Sequence, residues 1–248
     1  MGKKPVIGIT LDWAEQGSFS KSPHYALRQD YFDIVEKAGG VPLGIPYNKT
    51  TRQACLEMVD GLIIPGGTIA KPLEWYEEGT AELPYQPSPR LESDIWFVQK
   101  FIEMKKPFLG ICEGMQVLAG VMGCTLTANV HSCFQTKINH AQGQKASQRV
   151  HDIEIIAGTQ LHQILCGEIC MTTNSAHREG VKELSANTRM SAKSADGVVE
   201  AFEVINHPFA FGVEWHPEFF LEQESPDMKI LRAFVGAAKN ESEKVLEP

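Results

Sequence analysis

The chain contains 248 residues, of which 43% are hydrophobic and 22% are charged, as in an ordinary globular protein. Its formal net charge of −8 argues against nucleic acid as a partner, because binding nucleic acid requires a basic surface. No apolar run approaches the roughly 18 residues that cross a membrane, and residues 6–10 are too short an apolar run for a signal peptide. We therefore expect one cytoplasmic domain over residues 1–248, with no membrane partner.

The first half of the sequence alternates short apolar runs with segments of helical spacing. This alternation is typical of a mainly parallel sheet with helices on both faces. Residues 68–90 contain four prolines and are expected to form a long loop, a kind of segment that often acts as a lid. The predicted strands are 6–10, 41–46, 61–64 and 107–111, and the predicted helices are 25–38, 51–58, 91–104 and 113–122.

The second half of the sequence has a different pattern, with short strands joined by short links. Such links allow antiparallel pairing. A last helix is expected to begin at Ser225–Pro226, with the serine as its N-cap. The predicted fold class is therefore α/β, with a mainly parallel central sheet and additional short antiparallel strands in the C-terminal half. The predicted C-terminal strands are 151–156, 170–173, 190–194, 198–204 and 209–215.

Three short motifs follow predicted strands and carry the chemistry. Cys112 stands between two glycines at a strand-to-helix turn, Pro65-Gly66-Gly67 follows another strand, and His216 follows a third, with Glu218 two residues later. Open α/β sheets bind ligands at the carboxyl ends of their strands, so the motifs are expected to share one edge. A thiol needs a base, and the base needs an orienting group. Each motif is weak alone, but together they predict a cysteine hydrolase.

The order of these motifs resembles that of class I glutamine amidotransferase-like proteins, which have a flavodoxin-like fold. The resemblance covers roughly residues 5–238. The last three motifs, with residues 38–42, most resemble the γ-glutamyl-γ-aminobutyrate hydrolase branch. The segments that carry the resemblance are Pro65-Gly-Gly67, Gly110-Ile-Cys-Glu-Gly-Met-Gln116, Asn174-Ser-Ala-His177, Asp196-Gly-Val-Val-Glu-Ala201 and Gly212-Val-Glu-Trp-His-Pro-Glu218.

The resemblance implies a role for each matching residue. Cys112 would be the nucleophile, His216 the general base and then acid, and Glu218 the group that orients His216. The amides of Gly67 and Glu113 would form the oxyanion hole. The resemblance also implies a small γ-glutamyl substrate and no metal or organic cofactor. The residues implied to bind the substrate are Gly66, Gln116, Asn174, Ser175 and His177.

The sequence departs from the family pattern close to the nucleophile. Glu113 stands where the family usually has arginine, and its carboxylate would oppose thiolate formation unless a cation offsets it. Residues 68–72 lack the usual aspartate, and Arg90 is followed by leucine rather than by aspartate. His177 is followed by Arg178-Glu179, where the branch often has His-Gln. These differences indicate a substrate other than the usual one of the branch.

Three functions remain open at this stage. The favoured one is hydrolysis of a γ-glutamyl amide through a thioester, which releases glutamate and an amine. The second is a glutaminase subunit that supplies ammonia to a partner synthetase, and the third is a catalytically degenerate ligand-binding protein. Whether the chain forms a homodimer is left open.

Other chemistry-bearing residues have simpler interpretations. The six cysteines include no CxxC pair, and the spacing of the histidines is not that of a metal site, so no metal site is predicted. Surface positions or hydrogen-bonded core positions are favoured for His131, His140 and His151. The aromatic residues of the long loop, either packed on the body or closing over a substrate, are Trp75, Tyr76 and Tyr85.

Overall fold

A nine-stranded sheet forms the centre of the computed structural model, which describes residues 3–78, 88–143 and 146–244, with side chains to residue 240. The sheet has the strand order β4-β1-β5-β6-β13-β12-β11-β8-β9. The strands are β1 Val6–Thr10, β2 Asp12–Ala14, β3 His24–Ala26, β4 Val41–Ile45, β5 Gly61–Ile64, β6 Phe108–Ile111, β7 Thr125–Thr127, β8 His151–Ile155, β9 Cys170–Thr173, β10 Gly180–Glu183, β11 Thr188–Ser194, β12 Val199–Val204 and β13 Ala210–Val213.

The first five strands of this order are parallel, and the remaining four pair antiparallel. β1 pairs with β4 and β5, and β6 pairs with β5 and β13, all in parallel. β12 then runs antiparallel to β13 and β11, and β8 runs antiparallel to β11 and β9. The predicted fold class, a mainly parallel sheet with antiparallel strands in the C-terminal half, is confirmed.

Helices cover both faces of the sheet, as the alternating pattern predicts. Ile34 and Phe234 are buried in the core on one face, and Leu56, Phe97 and Leu118 are buried in the core on the other. Ser225 Oγ accepts from the Met228 amide at 3.1 Å, which confirms the predicted cap of the last helix. The helices are α1 Gln29–Lys37, α2 Arg52–Met58, α3 Pro89–Glu103, α4 Glu113–Val121, α5 Val130–Phe134, α6 Gln160–Ile164 and α7 Pro226–Lys244.

The first predicted helix starts later in the structure than expected. Tyr25 pairs with Trp13 in a small two-stranded sheet formed by β2 and β3, and Arg28 is still extended. The prediction for residues 25–28 is therefore wrong, because residues 24–26 pair with β2 and the backbone stays extended at Arg28. Among the described residues, no helix combines the length and the apolarity needed to cross a bilayer.

Candidate active site

Cys112 occupies a strained turn between β6 and α4. Its φ of 51° and ψ of −106° lie in a region that residues with a side chain rarely adopt, at a cost on the order of 1–3 kcal/mol. A turn of this kind projects its side chain from the tip, and the helix N-terminus that follows favours negative charge there. The thiol is nevertheless well covered, since Cys112 is only 6% exposed.

The sheet edge that carries Cys112 also receives the ends of β5 and β13. The register places Ile64 and Val213 level with the last two residues of β6. The Cys112 amide donates to the Val213 carbonyl at 2.8 Å. The turns at residues 65–67 and 214–218 therefore leave the sheet beside the cysteine, at one edge.

His216 and Glu218 form a hydrogen-bonded pair just beyond β13. His216 Nδ1 lies 2.8 Å from Glu218 Oε1, and both residues are buried. Asn174 holds the backbone of His216 from both sides, because its Oδ1 accepts from the His216 amide at 2.9 Å and its Nδ2 donates to the His216 carbonyl at 3.0 Å. With Nδ1–H directed at the carboxylate, Nε2 keeps the lone pair that a general base needs.

Glu218 has further contacts from the N-terminal part of the chain. Arg28 donates to the same carboxylate oxygen and lies 3.0 Å from the Tyr31 hydroxyl, which also accepts from the Gly66 amide at 3.0 Å. Burial alone would raise the pKa of Glu218, but His216 and Arg28 hold that pKa below its ordinary value. The carboxylate is therefore charged at neutral pH and can orient the imidazole.

The turn at residues 65–67 passes close to His216. A Cβ on Gly66 would lie 2.7 Å from His216 Cε1, so only glycine allows this approach. Arg90 braces the same turn, because its Nη2 donates to the Pro65 carbonyl at 2.9 Å. Arg90 in turn pairs with Asp94, one helical turn later, at 3.3 Å. The acid that the sequence lacks directly after Arg90 is therefore supplied by the next turn of α3.

A cavity of about 370 Å³ opens onto Cys112. This volume is within the range of small-molecule sites. Gly67 and Glu113 line the cavity together with Cys112, so both predicted oxyanion-hole residues lie beside the thiol. Residues 176–179 form another part of the wall.

A buried cation lies next to Glu113. Lys71 Nζ is 3.1 Å from Glu113 Oε1 and 2.9 Å from Glu179 Oε2, and the Tyr76 hydroxyl is 2.5 Å from the same Glu179 oxygen. Burial raises the pKa of Glu113, and Lys71 opposes that rise. The cation that Glu113 requires is thus supplied by the loop in which the family usually has an aspartate.

The surroundings of the Cys112 thiol oppose its ionisation. Burial raises the pKa of Cys112 well above its ordinary value, Glu214 and Glu113 raise it further, and Lys71 lowers it. A base must therefore take the thiol proton as the sulfur attacks, because a standing thiolate is not favoured in this environment.

The side chains predicted to bind the substrate have different surroundings. Gln116 and His177 line the cavity, and the Gln116 amide donates to Glu214 at 2.6 Å. Ser175 is buried and donates to a backbone carbonyl at 2.9 Å, while Asn174 holds the backbone of His216. The cavity-lining residues do not include Asn174 or Ser175, and the substrate-binding role of all four residues stays a prediction.

The long loop predicted after the double glycine is anchored to the body of the protein. Residues 73–75 form one turn of 3₁₀ helix, and the ring of Trp75 packs directly over Gly120 of α4. Tyr76 lines the cavity. Tyr85, the third aromatic residue predicted for this loop, lies outside the described residues.

Four side chains that support this site were not predicted from the sequence: Arg28, Tyr31, Lys71 and Arg90. The predicted loop 68–90 includes Arg90, but α3 begins at Pro89, so Arg90 and Asp94 lie on one helix face and pair. No local pattern links Arg28 to Glu218, because 190 residues separate them.

Comparison with known proteins identifies relatives over most of the chain. A protein of Rickettsia prowazekii described as glutamine amidotransferase-like is 31% identical and covers 96% of this chain and 99% of its own. The γ-glutamyl-γ-aminobutyrate hydrolase PuuD of Escherichia coli is 27% identical over 95% of this chain and 94% of its own. These relatives support the resemblance stated from the motifs.

Solved structures show the same fold at low identity. A Thermoplasma acidophilum protein described as a GMP synthase subunit superposes with a TM-score of 0.66, at 18% identity over 98% of both chains. The glutaminase domain of Trypanosoma brucei CTPS, with bound acivicin, gives 0.63 at 16% identity, over 95% of this chain and 94% of its own. The family model described as Peptidase C26 matches residues 5–218. The chain therefore belongs to the peptidase C26 family of class I glutamine amidotransferase-like hydrolases.

Proposed function

We propose that this protein is a cysteine hydrolase that cleaves the γ-glutamyl amide bond of a small γ-glutamyl amine. One observation carries the proposal. Cys112 sits in a strained turn at a helix N-terminus, and the next strand of the sheet leads into a buried His216–Glu218 pair with a 2.8 Å hydrogen bond. A nucleophile, a base and an orienting acid at one sheet edge are the parts that acyl transfer requires.

In the first half of the reaction, Cys112 Sγ attacks the γ-carbonyl carbon and its proton passes to His216. The carbonyl oxygen becomes an oxyanion, which the amides of Gly67 and Glu113 stabilise at the start of α4. The C–N bond then breaks, and the amine leaves with the proton from His216. A γ-glutamyl thioester on Cys112 remains.

In the second half, water attacks the thioester carbonyl while His216 removes a proton from it. The C–S bond breaks, the sulfur recovers its proton from His216, and glutamate is released. Glu218 stays charged throughout and keeps His216 in one orientation, in agreement with the lowered pKa of its carboxyl. The reaction consumes one water and needs no oxidant, reductant or second substrate.

The charges around the cavity support an amino-acid-like substrate. Lys71, Glu113 and Glu179 line the cavity and provide both signs of charge near the thiol, which suits a glutamyl head group with an ammonium and a carboxylate. Their arrangement differs from the branch pattern, in which an arginine follows the nucleophile. This difference supports a γ-glutamyl amine other than γ-glutamyl-γ-aminobutyrate, the substrate that the name of the Escherichia coli relative specifies.

A panel of γ-glutamyl amines with cationic, neutral and anionic amine parts, together with glutamine, tests the proposal. Glutamate release is measured for wild type, Cys112→Ala and His216→Ala. Release from at least one γ-glutamyl amine by wild type only is the expected result. Release from glutamine alone, rising when a synthetase is added, would instead support the ammonia-supplying alternative. Equal rates in wild type and Cys112→Ala would refute both.

A further inference from the structure

A second cluster of buried polar side chains lies beside the cavity and takes no part in the reaction described above. Three histidines surround the carboxylate of Glu200. The distances to Glu200 Oε1 are 3.4 Å from His140 Nδ1, 3.5 Å from His151 Nε2 and 3.8 Å from His177 Nε2. All four side chains are buried, at 7% exposure or less. We call these residues the His₃Glu cluster.

The fold brings these four residues together from distant parts of the chain. His151 begins β8, and Glu200 lies in β12, two strands away in the sheet. His140 and His177 lie in two loops that are joined to each other, since the His177 amide donates to the His140 carbonyl at 3.0 Å. Sequence spacing alone therefore gave no metal-ligand pattern.

The outward nitrogen of each ring is engaged by an oxygen acceptor. Such a contact holds the proton on that nitrogen and leaves the lone pair on the nitrogen that faces Glu200, as is usual for metal-binding histidines. The pairs are His140 Nε2 with Asp196 Oδ2 at 2.9 Å, His177 Nδ1 with the Glu179 carbonyl at 2.9 Å, and His151 Nδ1 with the Asp152 carbonyl at 3.2 Å.

The inward atoms lack hydrogen-bond partners within the described part of the chain. These atoms are His151 Nε2, His177 Nε2 and both carboxylate oxygens of Glu200. A buried polar group without a hydrogen-bond partner lowers the stability of the fold by about 1–3 kcal/mol. Several such groups at one point therefore indicate that a ligand lies between them. The remaining inward atom, His140 Nδ1, lies 3.4 Å from Ser175 Oγ, which donates to the His140 carbonyl at 2.9 Å.

We propose that the His₃Glu cluster binds one divalent transition-metal ion, with Zn²⁺ as the best match. Three imidazole nitrogens and one carboxylate oxygen are ligands that Zn²⁺ prefers. Bonds of about 2.0–2.1 Å in a tetrahedron place ligand atoms about 3.3–3.4 Å apart, and the three imidazole nitrogens lie 3.4–3.8 Å from Glu200 Oε1. The ligand atoms of His140, His177 and Glu200 all lie within 4.8 Å of one another, whereas His151 lies outside this group, with its Nε2 3.5 Å from Glu200 Oε1.

Such an ion would be structural rather than catalytic. His140, His177 and Glu200 would hold the ion first. The His151 ring, 3.5 Å from Glu200 Oε1, would move toward them to complete a tetrahedron that leaves no position for water or substrate. The ion would connect β8, β12 and the two loops, and because His177 lines the cavity it would also hold that wall. This proposal replaces the sequence-based expectation that no metal site exists, and it does not depend on the proposed hydrolase activity.

The competing occupant of the cluster is a proton. His177 Nδ1 also lies 3.6 Å from Glu214 Oε1, so a protonated His177 would pair with carboxylates on two sides. In that arrangement the positive charge of His177 balances the negative charge of the carboxylates, and the cluster does not bind a metal ion. The two arrangements therefore differ in the affinity of the protein for metal ions, which can be measured.

Metal titration of the full chain decides between them. The protein, as wild type and as Cys112→Ala to remove the nearby thiol, is treated with a chelator and titrated with Zn²⁺ and Co²⁺. The expected result for both is one ion per chain by elemental analysis, a higher melting temperature, and the visible absorption of tetrahedral Co²⁺ without a thiolate band. Absence of binding at millimolar Zn²⁺ would overturn the proposal.

Variants locate the ion. We expect Glu200→Gln and His151→Ala to weaken metal binding at least 100-fold. Asp196→Asn, which alters the acceptor behind His140 and keeps an oxygen for Ser194, is expected to weaken it by about 10- to 100-fold and remains informative if a ligand variant fails to fold. His162→Ala, on the short helix α6, serves as the matched control and should bind like wild type. Wild-type affinity in all the cluster variants would refute the site.

Discussion

At the scale of single residues, two charges next to the nucleophile have exchanged places relative to the family pattern, which has arginine after the nucleophile and aspartate in the loop after the double glycine. Glu113 follows Cys112, and Lys71 comes from the loop across the cavity. Both side chains are buried, so the Glu113 carboxylate requires the Lys71 cation, which also pairs with Glu179 at 2.9 Å. Glu113, which differs from the arginine usual in the family, therefore belongs to an ion pair with Lys71. Only the structure shows that Lys71 is its partner.

Replacing Glu113 with glutamine should make the thiol of Cys112 more acidic. Burial and Glu214 raise the pKa of that thiol, Glu113 raises it further and Lys71 lowers it, so removal of the Glu113 carboxylate takes away one raising effect and keeps the lowering one. The rate of alkylation by iodoacetamide as a function of pH should shift to lower pH than in wild type. The surface variant Glu36→Gln should leave the profile in place. A shift to higher pH would contradict this interpretation.

Replacing Lys71 with methionine should have the opposite effect on the thiol and a large effect on stability. The buried Glu113 carboxylate would lose its partner, which typically costs about 3–5 kcal/mol. The double variant Lys71→Met, Glu113→Gln should recover much of that loss, because no buried charge is left alone. Urea unfolding of the single and double variants measures the coupling, and additive losses would contradict a direct pair.

Glu218 is predicted to act only through His216. Glu218→Gln should lower kcat by roughly 10²-fold or more with little change in KM, because the imidazole loses its anionic partner while the nucleophile remains. Some activity should survive, unlike in Cys112→Ala. The comparison is steady-state glutamate release by the two variants. A Glu218→Gln enzyme with wild-type kcat would exclude the orienting role.

At the scale of secondary-structure elements, α4 connects the nucleophile to the loop after the double glycine, which lines the cavity. The ring of Trp75 lies over Gly120, and Tyr76 continues from Trp75 into the cavity wall. The loop is therefore attached to the same helix whose first turn follows Cys112. A lid that opens widely would have to break this contact.

Gly120→Ala should displace the loop at Trp75. An added Cβ would overlap the indole, so the expected outcome is a loss of stability on the order of 1–3 kcal/mol and a higher KM. Gly236→Ala in α7 is the matched control, because nothing lies near its added methyl group and alanine favours a helix by about 1 kcal/mol. Thermal unfolding and steady-state kinetics of both variants provide the check. Equal stabilisation by both changes would refute the contact.

Most strands and helices could be predicted from the sequence, but the shortest ones could not. The buried strands and the longer helices were predicted within a few residues, because their apolar runs and helical spacing are strong signals. Six short elements, β2, β3, β7, β10, α5 and α6, were not, because three to five residues carry too little periodicity. The N-caps Asn129 and Thr159, which accept from the Ser132 and His162 amides, were the available signals for α5 and α6.

At the scale of the whole molecule, contacts between distant segments hold the candidate site in place. Asp227 of α7 accepts from Trp215 Nε1 at 2.8 Å and pairs with Arg149 at 2.7 Å, so it joins the last helix to the segment just before His216. The turns that carry the candidate residues were predictable from short motifs. The side chains that support these turns were not predictable, because partners such as Arg149 and Asp227 are 78 residues apart and share no local sequence pattern.

Asp227→Ala should destabilise the whole domain. Hydrogen bonds to a buried charged group contribute about 1.5–3 kcal/mol, and this variant removes two of them at once. We expect a loss of at least about 2 kcal/mol in the free energy of unfolding, measured in urea, and a change within about 0.5 kcal/mol for the surface variant Glu36→Ala. Wild-type stability in Asp227→Ala would show that this connection is dispensable.

The central claim is that Cys112 carries the glutamyl group during turnover, and intact-protein mass spectrometry tests it most directly. The protein is mixed with a γ-glutamyl amine that it hydrolyses and is quenched in acid within the first turnovers. The predicted result is a gain of one glutamyl group, mapped by peptide analysis to Cys112 and absent from Cys112→Ala. Glutamate released at the wild-type rate by Cys112→Ala, or an adduct on another residue, would contradict the claim.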